Sequence, residues 1–504
     1  MTPAPRLSAE ALRELAEANH VCTRPVIHEV TDTETGRKRL VPTPCGATLE
    51  SKCRPCAQRH RILRMQQCRE GWHLEVEPAI ESHQPELDDI SGGAPEEADE
   101  PTRRVRSTRR RQDVPDLPRV PMEGRTVGKA FVSPAGRTFR PSMFATFTLP
   151  SYGRVRSDGT PVDPSSYDYR RAALDALHFP KLVDRLWQNL RRAVGYQVQY
   201  FAAIEAQRRL APHLHAAVRG AIPRQTFRQV VGATYHQVWW PAHDRIAYDG
   251  VALPEWREGV GYVDPVTGQV LPTFAEELDD LDRDPDARPA HVIRFGSQLD
   301  IQGIIATEDD ADRRVAYLTK YLAKDFGEAF GDDTELTGRQ RRHLDRLHRE
   351  VRFLPCSTRC PNWLRFGIQP QGASAGMEPG ACPAKAHGRQ HLGCGGRRVL
   401  VSRRWTGKTL TDHRADRAAV VRQVLAAAGV DVHEADRLSA TVLRPDGQRR
   451  YEWKVWNPLE ATVPIYRQVM TRAIAEKMRW KAQYGAAKAA AGPDPPDQLA
   501  SSSP

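Results

Sequence analysis

No stretch of the 504-residue sequence approaches the roughly 18 consecutive apolar residues of a membrane-spanning helix. The first residues, MTPAPRLSAEALRELAEANH, lack the basic region and apolar core of a secretory signal, so the expected location is the cytoplasm. Negative charge is also in short supply: 63 Asp and Glu face 74 Lys and Arg, a formal +11. The resulting pI near 9.3 favours a polyanionic partner, nucleic acid before a membrane surface. Cysteine is missing from the whole middle of the chain. All nine lie within 22–68 or 356–394, and an odd number without a secretion signal argues for reduced, metal-binding thiols over a disulfide framework. The length suffices for two or three domains with cores of their own.

Two separated stretches carry the chemistry. In VQYFAAIEAQRRLAPHLHAAV (198–218), His213 and His215 flank Leu214, so on a strand both imidazoles project from one face while Leu214, Ala216 and Val218 line the other. A histidine on a strand is more often structural than a ligand, but here there are two. A hairpin turning near Arg209 would set Glu205 opposite His213, and two imidazoles with one carboxylate suit a divalent ion with open positions. In RRVAYLTKYLAK (313–324), Tyr317 and Tyr321 are each followed three residues later by a lysine, Lys320 and Lys324. A helix starting at Thr307 and stopping at Gly327 would present these four together, opposite an apolar stripe of Val315, Leu318 and Leu322.

The cysteines suggest two zinc segments. Cys53 and Cys56 form a knuckle that Cys22 and Cys45 complete across a strand turn at 31–40, and four thiolates close a tetrahedral site. Cys356, Cys360, Cys382 and His387 have looser zinc spacing, with His391 or Cys394 able to replace His387; Cys68 has no obvious partner.

Between these landmarks the pattern predicts a helix over 7–18, a strand over 143–149 with Phe144, Thr146 and Thr148 on one face, and helices over 178–194 and 223–240. Residues 241–288 read as inserted loops, 291–301 as a strand, 338–351 as a basic helix, 412–428 as a helix, 446–447 as a hairpin turn and 464–492 as a cationic helix. The expected fold is α+β, a central antiparallel sheet with helices, flanked by small zinc-binding segments and a C-terminal helical region. The expected division is a zinc domain at 1–81, a disordered acidic and basic linker at 82–120, a core domain at 121–335, a basic helix with the second zinc segment at 336–430, a hairpin and helix at 431–492, and a disordered tail at 493–504. In the linker, Arg103, Arg104, Arg106, Arg109, Arg110 and Arg111 are candidate phosphate contacts.

His213-Leu214-His215 resembles the H-hydrophobe-H motif of HUH endonucleases, and Tyr317-x-x-Lys320-Tyr321-x-x-Lys324 resembles the two-tyrosine motif of their rolling-circle members. The stretches FATFTLPSYG (144–153), PHLHAAVRG (212–220), HVIRFGSQLDIQG (291–303) and GRRVLVSRRWTGKTLTDHRADR (396–417) are similar to the replication initiators of actinobacterial conjugative and integrative plasmids. The resemblance covers most of 20–420, and the family has a similar first cysteine stretch. It implies an HUH-like core at 121–335 and a nickase that attacks origin DNA with a tyrosine hydroxyl, leaving a 5′-phosphotyrosine link. Glu205, His213 and His215 would then hold magnesium or manganese, and Lys320 and Lys324 would steady the phenolate or the phosphate. Partners would be single-stranded, hairpin and duplex origin DNA, with host helicase and polymerase. A conjugative relaxase or transposase is the nearest alternative. A non-catalytic zinc-finger regulator is a third, though it leaves the tyrosines and the histidine pair without a role.

Overall fold

Pro212–Arg219 is buried along its whole length because it is the middle strand of five. Numbering only the elements around it, the strands are β1 (Ser142–Phe147), β2 (Tyr200–Ala206), β3 (Pro212–Arg219), β4 (Leu299–Ile304) and β5 (Val399–Val401). They run in the order β4-β1-β3-β2-β5 with every pairing antiparallel. This computed structural model describes residues 8–72, 116–124, 142–250, 252–304, 308–320, 322–326, 336–427, 442–456 and 463–491, with a few isolated positions between them. The architecture is mixed α/β with antiparallel sheets. Among the described residues no helix is long and apolar enough to cross a membrane.

The two faces of the sheet differ by the period-2 rule. Met143, Ala145 and Phe147 of β1, Tyr200, Ala202 and Ile204 of β2, and Leu214, Ala216 and Val218 of β3 share one core. That core also takes in Phe179, Leu182, Leu186, Trp187 and Leu190 of helix α1 (Tyr169–Val194). Trp187 stacks on Tyr200 at 3.7 Å, pinning helix to sheet. The intervening residues, Phe144, Thr146, Glu205, His213 and His215, fall on the other face, toward helix α2 (Glu308–Lys320). Val315 and Leu318 of α2 are fully buried, while Tyr317 is 43% exposed.

Several elements differ from the sequence expectation. Helix α1 starts at Tyr169, nine residues before the expected 178, with the Asp168 side chain accepting from the Arg171 amide, and it runs through Pro180. A proline inside a helix leaves the carbonyl four residues earlier without its amide; here the Cys394 thiol donates to that carbonyl, Ala176 O, at 3.7 Å. The helix expected over 223–240 stops at Ala233, and Tyr235–Val238 becomes a strand paired with His291–Arg294. The strand expected over 291–301 is therefore two strands in two sheets, His291–Arg294 and β4. Residues 241–288 are more than loops: they hold the ribbon Glu255–Arg257 with Gly261–Val263, and a helix at Phe274–Arg283 closed by a Thr273/Glu276 capping box. The basic helix is found at α3 (Gly338–Phe353), with its own Thr337/Gln340 capping box.

The chain separates into two units, Cys68–Gly407, which contains the sheet above, and Met1–Gln67 with Lys408–Pro504. The expected division was linear; the second unit instead joins the two ends of the chain. Within it, Val26–Asp32 pairs with Lys38–Thr43 on one side and with Tyr451–Val455 on the other, Val30 opposite Trp453. Helix Ala9–Ala18 packs Leu12 and Ala16 against Met470 and Ile474 of Val463–Ala491. The expected 431–492 segment is thus not a separate body, and the expected tail at 493–504 lies outside the described residues.

Candidate active site and metal-binding clusters

The hairpin that carries the site is closed tightly. Gln207 N–H donates to Ala211 O at 2.9 Å and Leu210 N–H to Gln207 O at 2.7 Å. Leu210 takes a left-handed φ of 63°, a conformation costing about 1 kcal/mol that its buried side chain and the turn's hydrogen bonds hold in place. This turn fixes the register, and Glu205 stands directly opposite His213.

One ligand atom from each of Glu205, His213 and His215 lies within 4.8 Å of the others. The two histidine Nε2 atoms converge to 2.6 Å, and Glu205 Oε2 is 3.8 Å from His215 Nε2. Burial pushes His215 down to about 4 and His213 well below the usual imidazole range, the latter helped by the charges of His215 and Arg209. Both rings are neutral near pH 7 and offer lone pairs. His215 Nδ1 lies 2.9 Å from Thr146 Oγ1; with Nδ1 as donor, Nε2 faces the triad. Glu205 is raised to about 8 by burial, a rise that the positive charges of Arg398 and Lys320 oppose. Glu205 Oε1 and His213 Nδ1 are buried and, among the described residues, have no hydrogen-bond partner. Two nitrogens and one oxygen, buried and converging, fit the donor set of a divalent cation.

Tyr317 completes the arrangement. Its hydroxyl is 3.3 Å from His215 Nε2, and its ring sits edge-on to His215 at 5.0 Å and to Phe144 at 6.0 Å. Phe144 also stacks on His215, and the Arg314 guanidinium lies 5.1 Å over the Phe144 ring. Lys320, on the same helix, is exposed and close enough for its charge to act on Glu205; Lys324 offers its carbonyl to Arg398. Tyr321, Thr307, Gly327 and the six linker arginines Arg103, Arg104, Arg106, Arg109, Arg110 and Arg111 lie outside the described residues. Sequence reasoning missed Arg398, although it lies within the quoted 396–417 stretch, and it missed the contact of Thr146 with His215, although Thr146 was placed on one face of its strand.

The thiols gather as two separate clusters. Cys22, Cys45, Cys53 and Cys56 lie within ligand distance of one another. Cys53 breaks the helical path of Glu50–Trp72 with φ −163° and ψ 99°, and Pro55 then sits in the first turn, where its missing N–H costs nothing. Burial would raise the Cys53 thiol, but hydrogen bonds from the Thr23 hydroxyl and the Cys56 amide outweigh it and hold the group at about 6. In the second cluster, Cys356, Cys360, Cys382 and His387 converge. His387 Nδ1 lies 2.7 Å from Val351 O, which leaves Nε2 to face Cys360 Sγ at 3.5 Å. Cys394 is occupied beneath α1 and stands outside this cluster; Cys68 is buried and, among the described residues, joins neither cluster.

Residues 8–476 match the family described as replication initiator protein, pSAM2. A replication initiator protein from Streptomyces ambofaciens is 25% identical over 223 residues, covering 38% of this chain and 43% of that protein. The alignment thus spans less than half of the relative's length. No solved structure matches.

Proposed function

The chain belongs to this replication initiator family, matched across residues 8–476, and from that premise we propose that it starts plasmid replication by nicking and rejoining single-stranded origin DNA through a tyrosine. The observation that carries the reading is the convergence of Glu205, His213 and His215 beside the Tyr317 hydroxyl, 3.3 Å from His215 Nε2. We read the antiparallel sheet that presents them as an HUH-type core.

Glu205, His213 and His215 would hold magnesium or manganese. When bound, such an ion supplies a Lewis acid for a non-bridging phosphate oxygen. Tyr317 Oη attacks the phosphorus, an O–P bond forms, and the bond to the 3′ oxygen breaks. The leaving oxygen takes the electron pair and a proton, while the phenol loses its own, so nothing is consumed. The product is a 5′-phosphotyrosine whose bond energy is conserved for religation. Free phenol ionises near pH 10, about three units above neutrality, so the phenolate needs stabilisation. Lys320, on the same helix, supplies positive charge next to the triad and would steady the phenolate or the phosphate, with Lys324 as a second candidate. Tyr321, four residues on, would provide the second nucleophile for termination. The scissile segment must be single-stranded, because a tyrosine held on a helix cannot reach an in-line position in a regular duplex. The two cysteine clusters would bind zinc structurally, and flanking duplex or hairpin DNA would meet the basic segments.

The test is incubation of the purified protein with a supercoiled plasmid bearing the DNA beside its own gene, with and without magnesium or manganese. Open-circle product that appears only with the metal, and carries protein on its 5′ end after denaturation, supports the reading. Tight binding of the same DNA without any nicking would favour a zinc-finger regulator instead.

A further inference from the structure

A cleft of about 410 Å³ opens at the start of α1, away from the triad, and three of its lining residues are arginines: Arg170, Arg171 and Arg294. The carboxylate on its wall, Asp168, is already engaged, accepting from the Arg171 amide at 2.9 Å. His291 also lines it and is held from behind, its Nε2 2.7 Å from Oδ1 of Asp175, a carboxylate 1% exposed. Arg170 is fixed by donating to His243 O. Arg294 is exposed and, among the described residues, has no carboxylate partner. Arg171 also pairs with Asp175, Nε to Oδ2 at 4.0 Å, yet three guanidinium groups against the one lining acid, Asp168, leave the opening with a surplus of positive charge suited to an anion, and guanidinium groups match phosphate oxygens in geometry.

The cleft is joined to the triad by one rigid run of contacts. The Tyr152 ring takes two guanidinium groups over it, Arg209 at 5.2 Å and Arg171 at 5.9 Å from its centroid. Its hydroxyl donates to Asp175 Oδ2 at 2.9 Å, the carboxylate that also holds His291. Arg209 belongs to the turn between β2 and β3, so it moves with Glu205 and His213, and it donates to Leu149 O at 2.6 Å and Pro150 O at 2.7 Å just beyond β1. Cleft and triad are thereby held in a fixed relation within one unit of the chain.

Resting on the reading above, we propose that the cleft formed by Arg170, Arg171, Arg294 and His291 is a second phosphate subsite, which grips the backbone of the same DNA strand at a distance from the bond that Tyr317 attacks. It recognises phosphodiester and not bases, since its lining offers guanidinium groups and no Phe, Tyr or Trp face for a base to stack on. It holds the substrate's register while the triad does the chemistry.

The experiment measures binding of the full-length protein to fluorescein-labelled single-stranded oligonucleotides by anisotropy over a salt series, in the His215→Ala background so that no cleavage intervenes. Arg294→Gln should weaken binding about three- to tenfold and flatten the salt dependence by about 0.7 in log–log slope, the amount expected for one lost phosphate contact. Arg294→Lys should stay near the parent, and adding Arg171→Gln should flatten the slope further. Circular dichroism of each variant checks that the fold is kept. Unchanged affinity and slope in both the single and the double variant would overturn the subsite. So would Arg294-dependent binding of a nucleoside triphosphate or inorganic phosphate without any effect on oligonucleotides, which would make the ligand a free phosphate compound. Because this readout needs no nicking, a protein that never forms an adduct but shows the Arg294 effect removes the nickase reading and leaves the subsite standing.

Discussion

The oxygen- and nitrogen-rich triad and the two thiol clusters are built in opposite ways. Glu205, His213 and His215 come from adjacent strands of one sheet, in a register set by the short connection 207–211, so the backbone ladder places them before any ligand arrives. The thiol clusters draw on turns, a helix start and a short 3-10 segment, so that no strand register brings Cys22 to Cys53 or Cys356 to Cys382; side-chain packing and side-chain hydrogen bonds such as those of Asn362 do it instead. A preformed site with three donors leaves coordination positions open for substrate. A site of four thiolates, or three with an imidazole, is closed and returns its binding energy to the fold.

That contrast can be broken most directly by deleting a ligand on each side. His215→Ala should reduce nicking by more than about 1,000-fold, the loss expected when a site's main electrostatic element goes, while thermal denaturation stays close to the parent. A large fall in melting temperature would mean that the triad is structural after all. Cys360→Ser should do the reverse, lowering stability by several kcal/mol, a part of the roughly 10–16 kcal/mol that a structural zinc can return to the fold, with loss of amide-exchange protection around Trp363 and the end of α3. If zinc analysis and melting are both unchanged, the second cluster is four neighbouring side chains and nothing more.

The ionisation of Glu205 sharpens the difference. In protein stripped of metal, its carboxyl titrates near 8 because burial disfavours the charge, against about 4.5 in the unfolded chain. The folded form then holds a proton that the unfolded form has released, so stability falls as pH rises from about 4.5 to about 8 and levels off above. Divalent metal competes with that proton, so its apparent affinity, measured by titration calorimetry, should rise about tenfold per pH unit up to about 8 and then flatten. Glu205→Gln should abolish the slope. The smallest effect expected is that of Thr146→Val, which removes the oxygen beside His215 Nδ1 and should weaken metal binding about tenfold with little change in fold.

How much of this was legible in the sequence follows from the range of the interactions involved. The His213/Glu205 register is local to one hairpin, and the alternation Leu214, Ala216, Val218 marks its buried face, so both could be read directly. The apolar stripe of Val315 and Leu318 followed in the same way from helical spacing, and the close pairs Cys53/Cys56 and Cys356/Cys360 from short spacings, whereas the fourth member of the second cluster stayed open between His387, His391 and Cys394. The early start of α1 was hidden because Pro180 reads as a helix boundary, and only Cys394, far along the chain, supplies the donor that lets the helix pass through it. The strand Tyr451–Val455 was read as part of a C-terminal body because its partner, Val26–Asp32, is at the other end of the chain and no local pattern points to it. Arg398 escaped for a similar reason: its place beside Glu205 depends on β5 pairing with β2, a contact that residue spacing does not encode. The helix at Phe274–Arg283, by contrast, had a readable start in Thr273-x-x-Glu276, and the run of Pro, Gly and Asp around it drew the reading toward loops.

The account turns on Tyr317 as the residue that takes up DNA beside the triad, and peptide mapping by mass spectrometry of the protein–DNA adduct formed with manganese tests it most directly. The account predicts a nucleotide mass on the peptide containing Tyr317, lost in Tyr317→Phe with or without transfer to Tyr321. An adduct on a residue other than Tyr317 or Tyr321, or an adduct that forms equally in His213→Ala and His215→Ala, would contradict it.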